Sequence, residues 1–194
     1  MNYQLSMEKI IGGLGEKKPR LLLHVCCAPC FSYPLELLHP HFDITAFYYN
    51  PNIMPLAEYE KRLGEFEKLR RYPFVLRAGE WDNPRFLDCV RGMEELPEGG
   101  SRCGLCIGLR LEKTAELAAA EGFDYFATTL TVSPHKNAPL INTLGEELAA
   151  RCGVKWLPSD FKKKEGYKRS IALCRELEIY RQDYCGCRLT GGAL

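Results

Sequence analysis

The chain has almost no excess of charge of either sign. Its 194 residues contain 26 Lys and Arg against 25 Asp and Glu, which gives a formal net charge of +1. This balance excludes a strongly basic field over the whole protein. Any contact with nucleic acid would therefore have to come from a local basic patch.

Long apolar runs are also missing. No stretch approaches the roughly 18 to 20 apolar residues that a membrane span needs, and residues 1–19 lack the apolar segment of a signal peptide. We therefore expect a cytoplasmic protein with no membrane partner. Because no repeat, low-complexity segment or linker is visible, we predict one domain over residues 20–190. An N-terminal extension at 1–19 and a C-terminal tail at 191–194 would flank it.

Short apolar runs alternate with segments of helical periodicity. Strands are predicted at 20–26, 43–50, 74–78, 125–132 and 154–158. Helices are predicted at 31–38, 55–72, 101–121 with Ser101 as N-cap, 139–152 and 166–180, while residues 79–100 stay unassigned. This order indicates a single three-layer α/β domain with a mostly parallel sheet. Active sites in such sheets lie at the carboxyl ends of the strands.

Cysteine is abundant, with ten residues in a chain long enough to bury a core without disulfides. In a reducing compartment, so many thiols indicate metal binding or redox chemistry. The segment CCAPC places Cys26, Cys27 and Cys30 directly after the first strand. Adjacent side chains of a strand point to opposite faces, so Cys26 and Cys27 can serve one metal only if the chain turns there, and Pro29 favours such a turn. Buried apolar thiols are the alternative.

A second pair, Cys103 and Cys106, forms a C-x-x-C motif in the first turns of a predicted helix. The two thiols lie one helical turn apart on one face, where the helix N-terminus stabilises thiolates. Alone, the motif also fits a thioredoxin-like redox pair. Together with Cys26 and Cys27 it supplies four sulfur ligands without a histidine pair, which suits either zinc or an iron–sulfur cluster.

A third pair, Cys185 and Cys187, is separated only by Gly186. A disulfide across one residue closes a small, strained ring, and strained disulfides are easily reduced. The pattern therefore indicates a switchable dithiol, with a further metal-binding pair as the alternative. Cys89, Cys152 and Cys174 are isolated, and we interpret them as packing residues.

Residues 161–170 contain five basic residues against Glu165 alone. The residues in and near this window that could contact RNA are Lys162, Lys163, Tyr167, Lys168, Arg169 and Arg181, because bases stack on aromatic rings and cations meet phosphates. A charged run is also typical of an ordinary solvated surface. The mixed charges around Arg62, on the second helix, are typical of an exposed helix. Asp160 could donate a proton or bind a metal, and His135 is interpreted as a surface residue.

The segments CCAPC, YYNPNI with EYEKR, GSRCGLC, TTLTVSPHK, DFKKKEGYKRS and YRQDYCGC, in this order, resemble the QueH type of epoxyqueuosine reductase from about residue 20 to 190. The resemblance implies a fold related to the adenine-nucleotide α-hydrolase (HUP-like, Rossmann-like) group. It implies reductive deoxygenation of epoxyqueuosine to queuosine at the wobble position of tRNA, with an electron donor that the sequence does not identify.

The resemblance also implies the roles of the cysteines. A [4Fe–4S] cluster is expected on Cys26, Cys27, Cys103 and Cys106, a redox-active pair at Cys185 and Cys187, and no cobalamin. The reaction needs two electrons and two protons, and a dithiol supplies both electrons whereas a cluster usually passes one. An additional iron, acting as a Lewis acid on the epoxide oxygen, could use Cys30 or Asp160.

Two other interpretations stay open at the level of sequence. One is an ATP-dependent, cluster-containing tRNA thiolase on the same fold, which CCAPC disfavours because it stands where nucleotide-binding relatives carry a Ser/Gly-rich phosphate loop. The other is a non-enzymatic, zinc-stabilised RNA-binding module. That module would be colourless and contain zinc, whereas a cluster protein would be brown and oxygen-sensitive.

Overall fold

In a computed structural model, which describes residues 1–187, five strands form one all-parallel sheet in the order β3-β2-β1-β4-β5. The strands are β1 Arg20–His24, β2 Asp43–Tyr48, β3 Val75–Ala78, β4 Tyr125–Thr128 and β5 Lys155–Trp156. The α-helices are α1 Tyr3–Gly12, α2 Ala28–Leu38, α3 Leu56–Gly64, α4 Asn83–Cys89, α5 Ser101–Ala120, α6 Ala138–Cys152 and α7 Gly166–Glu176. The predicted α/β fold is confirmed. The predicted tail at 191–194 lies outside the described residues.

The central strand β1 is apolar because both of its faces are covered. Leu21 and Leu23 point into a core that contains Phe31 of α2, whereas Leu22 points into a second core that contains Leu111 of α5. Successive side chains of a strand alternate between faces, so a strand buried on both sides becomes a continuous apolar run. Helix α2 packs against α7 on one side of the sheet, and α5 packs against α6. The domain therefore has three layers.

The predicted start of α5 and the predicted end of β4 are wrong. Gly100, not Ser101, is the N-cap of α5, and Ser101 is the first helical residue. Strand β4 ends at Thr128, and Thr129–Val132 form a 3-10 turn instead of continuing the strand. The Thr128 hydroxyl accepts a hydrogen bond from the backbone N–H of Leu130 at 3.2 Å, which bends the chain away from the sheet.

Residues 1–19 and 79–100 also contain regular structure. Helix α1 is capped by the Asn2 side chain, and its Met7 is fully buried in the core that contains Phe31. Helix α4 lies in the segment that the sequence left unassigned, and the Asp82 side chain caps it by accepting from the N–H of Arg85. Within residues 1–187, no helix is both long and apolar enough to cross a bilayer.

The strand order fixes where a site can form. From β1 the chain moves outward to β2 and β3, and then returns to the other side of β1 to add β4 and β5. The order therefore reverses between β1 and β4. In open parallel sheets, the crevice outside the carboxyl ends of two such strands is where ligands bind.

Candidate active site

The chain turns sharply where β1 ends, and this turn gathers three cysteines. Strand β1 stops at His24, and Cys27 is already the N-cap of α2. The Sγ atoms of Cys26 and Cys27 are 3.8 Å apart, and those of Cys26, Cys27 and Cys30 all lie within 4.8 Å of one another. The turn that a shared metal site requires is therefore present. No other group of three His, Cys, Asp or Glu residues within residues 1–187 meets this spacing.

One thiolate is favoured within this group. Hydrogen bonds from Cys27 and Cys30 hold the pKa of Cys26 well below its usual range, and the same contacts raise the pKa values of Cys27 and Cys30. The three groups thus share one negative charge between one thiolate and two thiol donors. A thiolate is the form of cysteine that binds metals and attacks electrophiles.

The side chain of His24 stabilises the turn at the end of β1. It is fully buried, and burial lowers its pKa to about 3, so the imidazole is neutral. Its Nδ1 lies 2.8 Å from the Thr128 hydroxyl and its Nε2 lies 3.2 Å from the carbonyl oxygen of Tyr49. Because Nε2 must donate to that carbonyl, Nδ1 accepts from Thr128. One neutral side chain therefore ties β1 to β4 and to the residue after β2.

Cys103 and Cys106 lie beside the C-G-C pair, Cys185 and Cys187. All four thiols line a cavity of about 50 Å³. Burial raises the pKa of Cys106 to about 12, and the backbone N–H of Gly99 donates to Cys103 Sγ at 3.2 Å. The structure thus brings the C-x-x-C and C-G-C motifs together, and neither Cys103 nor Cys106 belongs to the close group at the end of β1.

Arg110 lies between the two groups of thiols and lines both cavities. Its Nε donates to the carbonyl oxygen of Cys106 at 3.1 Å and its Nη1 to Asn50 Oδ1 at 3.4 Å. Burial disfavours its charge, yet the negative charge that Cys106, Cys185 and nearby thiols can carry raises the pKa of Arg110. Sequence reasoning missed Arg110, although its position four residues after Cys106 places both on one helix face.

A larger cavity of about 760 Å³ opens over the end of β1. The close group of cysteines lines it, together with Cys185, Lys136, Tyr167 and Arg181. Lys136 Nζ lies 2.8 Å from Glu98 Oε1 and 3.8 Å from Cys185 Sγ. Cys185 lines both cavities, so it can face a ligand in one while Cys187 stays in the other. The volume is typical of sites for small molecules.

Arg62 holds the C-G-C segment in place. Its Nη1 donates to the carbonyl oxygen of Cys185 at 3.1 Å, and its guanidinium lies over the Tyr184 ring at 4.9 Å. The predicted exposed helix face is wrong for this residue, which is only 2% exposed and paired with Glu58. Arg62 is buried because residues 184–187, which are distant in sequence, fold over α3 and cover this side chain.

The basic window is largely neutralised by ion pairs. Its paired cations are Lys162 with Asp160, Lys164 with Glu8, Lys168 with Glu165, and Arg169 with Glu36. Lys163 is exposed. Of the predicted RNA contacts, only Tyr167 and Arg181 line the larger cavity, where Arg181 Nη2 donates to the Tyr167 hydroxyl at 2.7 Å.

Of the remaining candidates, only His135 lines one of the two cavities. Asp160 does not line the larger cavity and pairs with Lys162 at 2.6 Å. Cys89, Cys152 and Cys174 line neither cavity, and Cys174 packs in the core beneath α7. His135 lines the rim of the larger cavity and is exposed, as predicted for a surface histidine.

A parallel α/β domain with a metal-capable group of thiols at the reversal point of its sheet, next to a separate dithiol, defines a cysteine-dependent protein of the Rossmann-like class. The family model "Epoxyqueuosine reductase QueH" matches residues 21–191. The chain belongs to this family of oxidoreductases, the QueH family.

Curated relatives agree with this assignment. The epoxyqueuosine reductase QueH of Streptococcus pyogenes serotype M1 is 46% identical over 197 residues, which cover 96% of this chain and 77% of that protein. The protein of the same name from Staphylococcus epidermidis is 41% identical, covering 96% and 83%. The one from Thermotoga maritima is 40% identical, covering 86% and 88%. Membership in this family favours the reductase over the thiolase and the zinc module.

Proposed function

We propose that this chain reduces epoxyqueuosine in tRNA to queuosine, removing the epoxide oxygen from the cyclopentane ring at the wobble position. The observation that carries the proposal, beside family membership, is that Cys26, Cys27 and Cys30 lie next to one cavity and share Cys185 as a neighbour with the C-x-x-C pair. Metal-capable thiols and a separate dithiol therefore adjoin one space that can hold a ligand.

The dithiol balances the reaction. When Cys185 and Cys187 form a disulfide, they release two electrons and two protons. Both C–O bonds of the epoxide break, the carbon–carbon double bond forms, and the oxygen leaves as water. A separate electron donor then reduces the disulfide for the next turnover. Gly186, at φ +100, gives the short segment the backbone freedom that such a small ring requires.

We further propose that Cys26, Cys27, Cys103 and Cys106 bind a [4Fe–4S] cluster. This donor set fits an iron–sulfur cluster because it consists of thiols alone, and all four are partly or fully buried. The buried cation of Arg110 lies beside them and would offset the charge of the thiolates. Thiols that bind different irons of one cluster can be spread more widely than ligands of a single ion. When bound, the cluster would supply one-electron transfer. An additional iron would use Cys30 and not Asp160, which Lys162 neutralises.

The tRNA would approach from the open side of the larger cavity. Tyr167 and Arg181 are the foremost contacts in this proposal because they line it. Lys162, Lys163, Lys168 and Arg169 would contact phosphates further out, with their ion pairs exchanged for phosphate oxygens. Lys136 would orient the Cys185 thiol toward the substrate. Since the substrate is tRNA, the reaction is proposed to take place in the cytoplasm.

The decisive experiment is anaerobic incubation of iron-loaded protein with epoxyqueuosine-tRNA and a low-potential reductant, followed by mass analysis of the nucleosides. We expect queuosine, lighter by one oxygen. Cys185→Ser and Cys187→Ser should each abolish turnover while iron content and visible spectrum stay unchanged. Cys152→Ser, at a cysteine outside both cavities, is the matched control and should turn over normally. An unchanged epoxide with fully loaded wild-type protein would contradict the proposal.

A further inference from the structure

Three side chains that line the larger cavity each carry a buried polar atom without a hydrogen-bond partner among residues 1–187. These atoms are Asn52 Oδ1, Arg62 Nη2 and Gln182 Oε1. Within the described part of the chain there is one other such atom, the Tyr49 hydroxyl, and Tyr49 does not line this cavity. The unpartnered atoms are therefore concentrated around one space.

Such a concentration calls for a partner from outside the protein chain. Asn52 is 1% exposed and Arg62 is 2% exposed, so neither side chain is simply solvated at the surface. A buried polar atom left without a partner costs about 1–3 kcal/mol, and folded proteins keep few of them. Where they surround a cavity, a ligand that offers matching donors and acceptors recovers that free energy on binding.

The position of Arg62 shows which part of a ligand would lie here. Its other terminal nitrogen donates to the carbonyl oxygen of Cys185, so the unpartnered Nη2 of Arg62 adjoins the segment that carries the redox dithiol. This step rests on the proposed function. In that reaction, the group next to the dithiol must be the cyclopentane ring, which carries two hydroxyls beside the epoxide.

We propose that Asn52, Gln182 and Arg62 form the binding site for the hydroxylated cyclopentane ring of the wobble nucleoside. The side-chain amides of Asn52 and Gln182 hydrogen-bond the two hydroxyls of the ring, and the Arg62 guanidinium donates to an oxygen atom that the ring carries. A hydroxyl both donates and accepts, so it matches an amide whichever of its two ends faces the ring. The enzyme thus selects its substrate by the modification itself, and the surrounding cations bind the tRNA backbone.

The test compares two tRNAs that share sequence and backbone and carry either guanosine or queuosine at the wobble position. Queuosine retains both hydroxyls and the base edge but has no epoxide to react, so equilibrium binding can be measured. We expect wild-type protein to prefer the queuosine tRNA. Asn52→Leu and Gln182→Met should each reduce that preference about three- to tenfold and leave affinity for the guanosine tRNA unchanged.

Gln4→Met is the matched control, because Gln4 is a buried glutamine on α1 that already bonds Glu8. It should keep the full preference. Asn52→Leu should also unfold at a temperature no lower than wild type, since an apolar group of the same shape replaces an unpartnered one. A lower melting temperature with the preference intact would make Asn52 a structural residue and overturn the proposal.

Equal loss of affinity for both tRNAs would also overturn it, because the residues would then contact parts that the two tRNAs share. Failure of wild-type protein to convert epoxyqueuosine-tRNA would overturn the proposed function and this inference together. Conversion without any preference for the queuosine tRNA would overturn this inference alone.

Discussion

The Nε–H of Arg110 donates a hydrogen bond to the carbonyl oxygen of Cys106 at 3.1 Å, so a buried cation is fixed to the helix turn that carries the C-x-x-C motif. Arg110→Met should therefore lower the reduction potential of a bound cluster by tens of millivolts, where ~60 mV is tenfold for one electron. The removed charge would otherwise stabilise the added electron. An anaerobic redox titration followed by visible absorbance measures this shift.

The same variant has a readout that needs no cluster. Removing the guanidinium leaves the Cys106 carbonyl and Asn50 Oδ1 without that donor, so metal-free Arg110→Met should lose ~1–3 kcal/mol of unfolding free energy. Arg151→Met, at an exposed arginine near the end of α6, should change neither quantity. An unchanged potential in Arg110→Met would mean that this cation does not act on the cluster.

The group at the end of β1 could be predicted from sequence because its causes are local. CCAPC follows an apolar strand, and a turn is needed before a helix can begin, so Cys26, Cys27 and Cys30 must converge. The spacing of Arg110 to Cys106 was also a readable signal. The burial of Arg62 was not, because Arg62 and Cys185 are 123 residues apart in sequence. A mixed-charge helix looks the same whether solvent or a distant segment covers it.

The basic window at residues 161–170 shows what sequence composition alone cannot predict. Composition predicted a basic patch, yet most of its cations are paired with acids such as Glu8 and Glu36, which lie far away in the chain. Counting charges within a window cannot detect partners from other elements. The cavity-lining role of Lys136 was equally hidden, since its neighbours Glu98 and Cys185 come from separate loops.

Arg62→Met should free the C-G-C segment. The variant removes the donor to the Cys185 carbonyl and the stacking partner of Tyr184, which are worth ~1–3 kcal/mol together. We expect faster backbone hydrogen exchange in residues 184–187 and slower turnover at unchanged iron content. Arg70→Met removes an exposed arginine of the neighbouring turn and should leave exchange in this segment as in wild type. Wild-type exchange in Arg62→Met would show that other contacts hold the segment.

The Glu36–Arg169 pair should make stability depend on acid pH. The hydrogen bond from Arg169 lowers the pKa of Glu36, so the folded state favours the carboxylate. The pair therefore stabilises the fold above the unfolded pKa of Glu36, and this contribution is lost as pH falls through the lower folded pKa. Glu36→Gln should cost ~0.5–1 kcal/mol at neutral pH, a modest value because the pair is partly exposed.

The difference in unfolding free energy between wild type and Glu36→Gln should therefore shrink toward zero at low pH, as measured by urea denaturation at several pH values. Glu67→Gln, which removes a more exposed partner of Arg70, should show a smaller difference at neutral pH. A difference that stays constant as pH falls would show that Glu36 acts through packing and not through its charge.

Replacing Gly186 by alanine should destabilise the C-G-C segment. Its φ of +100 is disfavoured for other residues, and an added Cβ would lie 3.1 Å from Ile53 and 3.2 Å from Arg62 Nη1. Gly186→Ala should therefore lose ~1–2 kcal/mol of unfolding free energy and slow disulfide formation between Cys185 and Cys187.

Gly64→Ala is the matched control, since its φ is −60 and an added Cβ has no neighbour within 4 Å. That variant should be as stable as wild type or up to ~1 kcal/mol more stable. Chemical denaturation measures both variants, and thiol titration after a pulse of oxidant follows the disulfide. Equal stability of the two variants would show that the segment relaxes around the new methyl group.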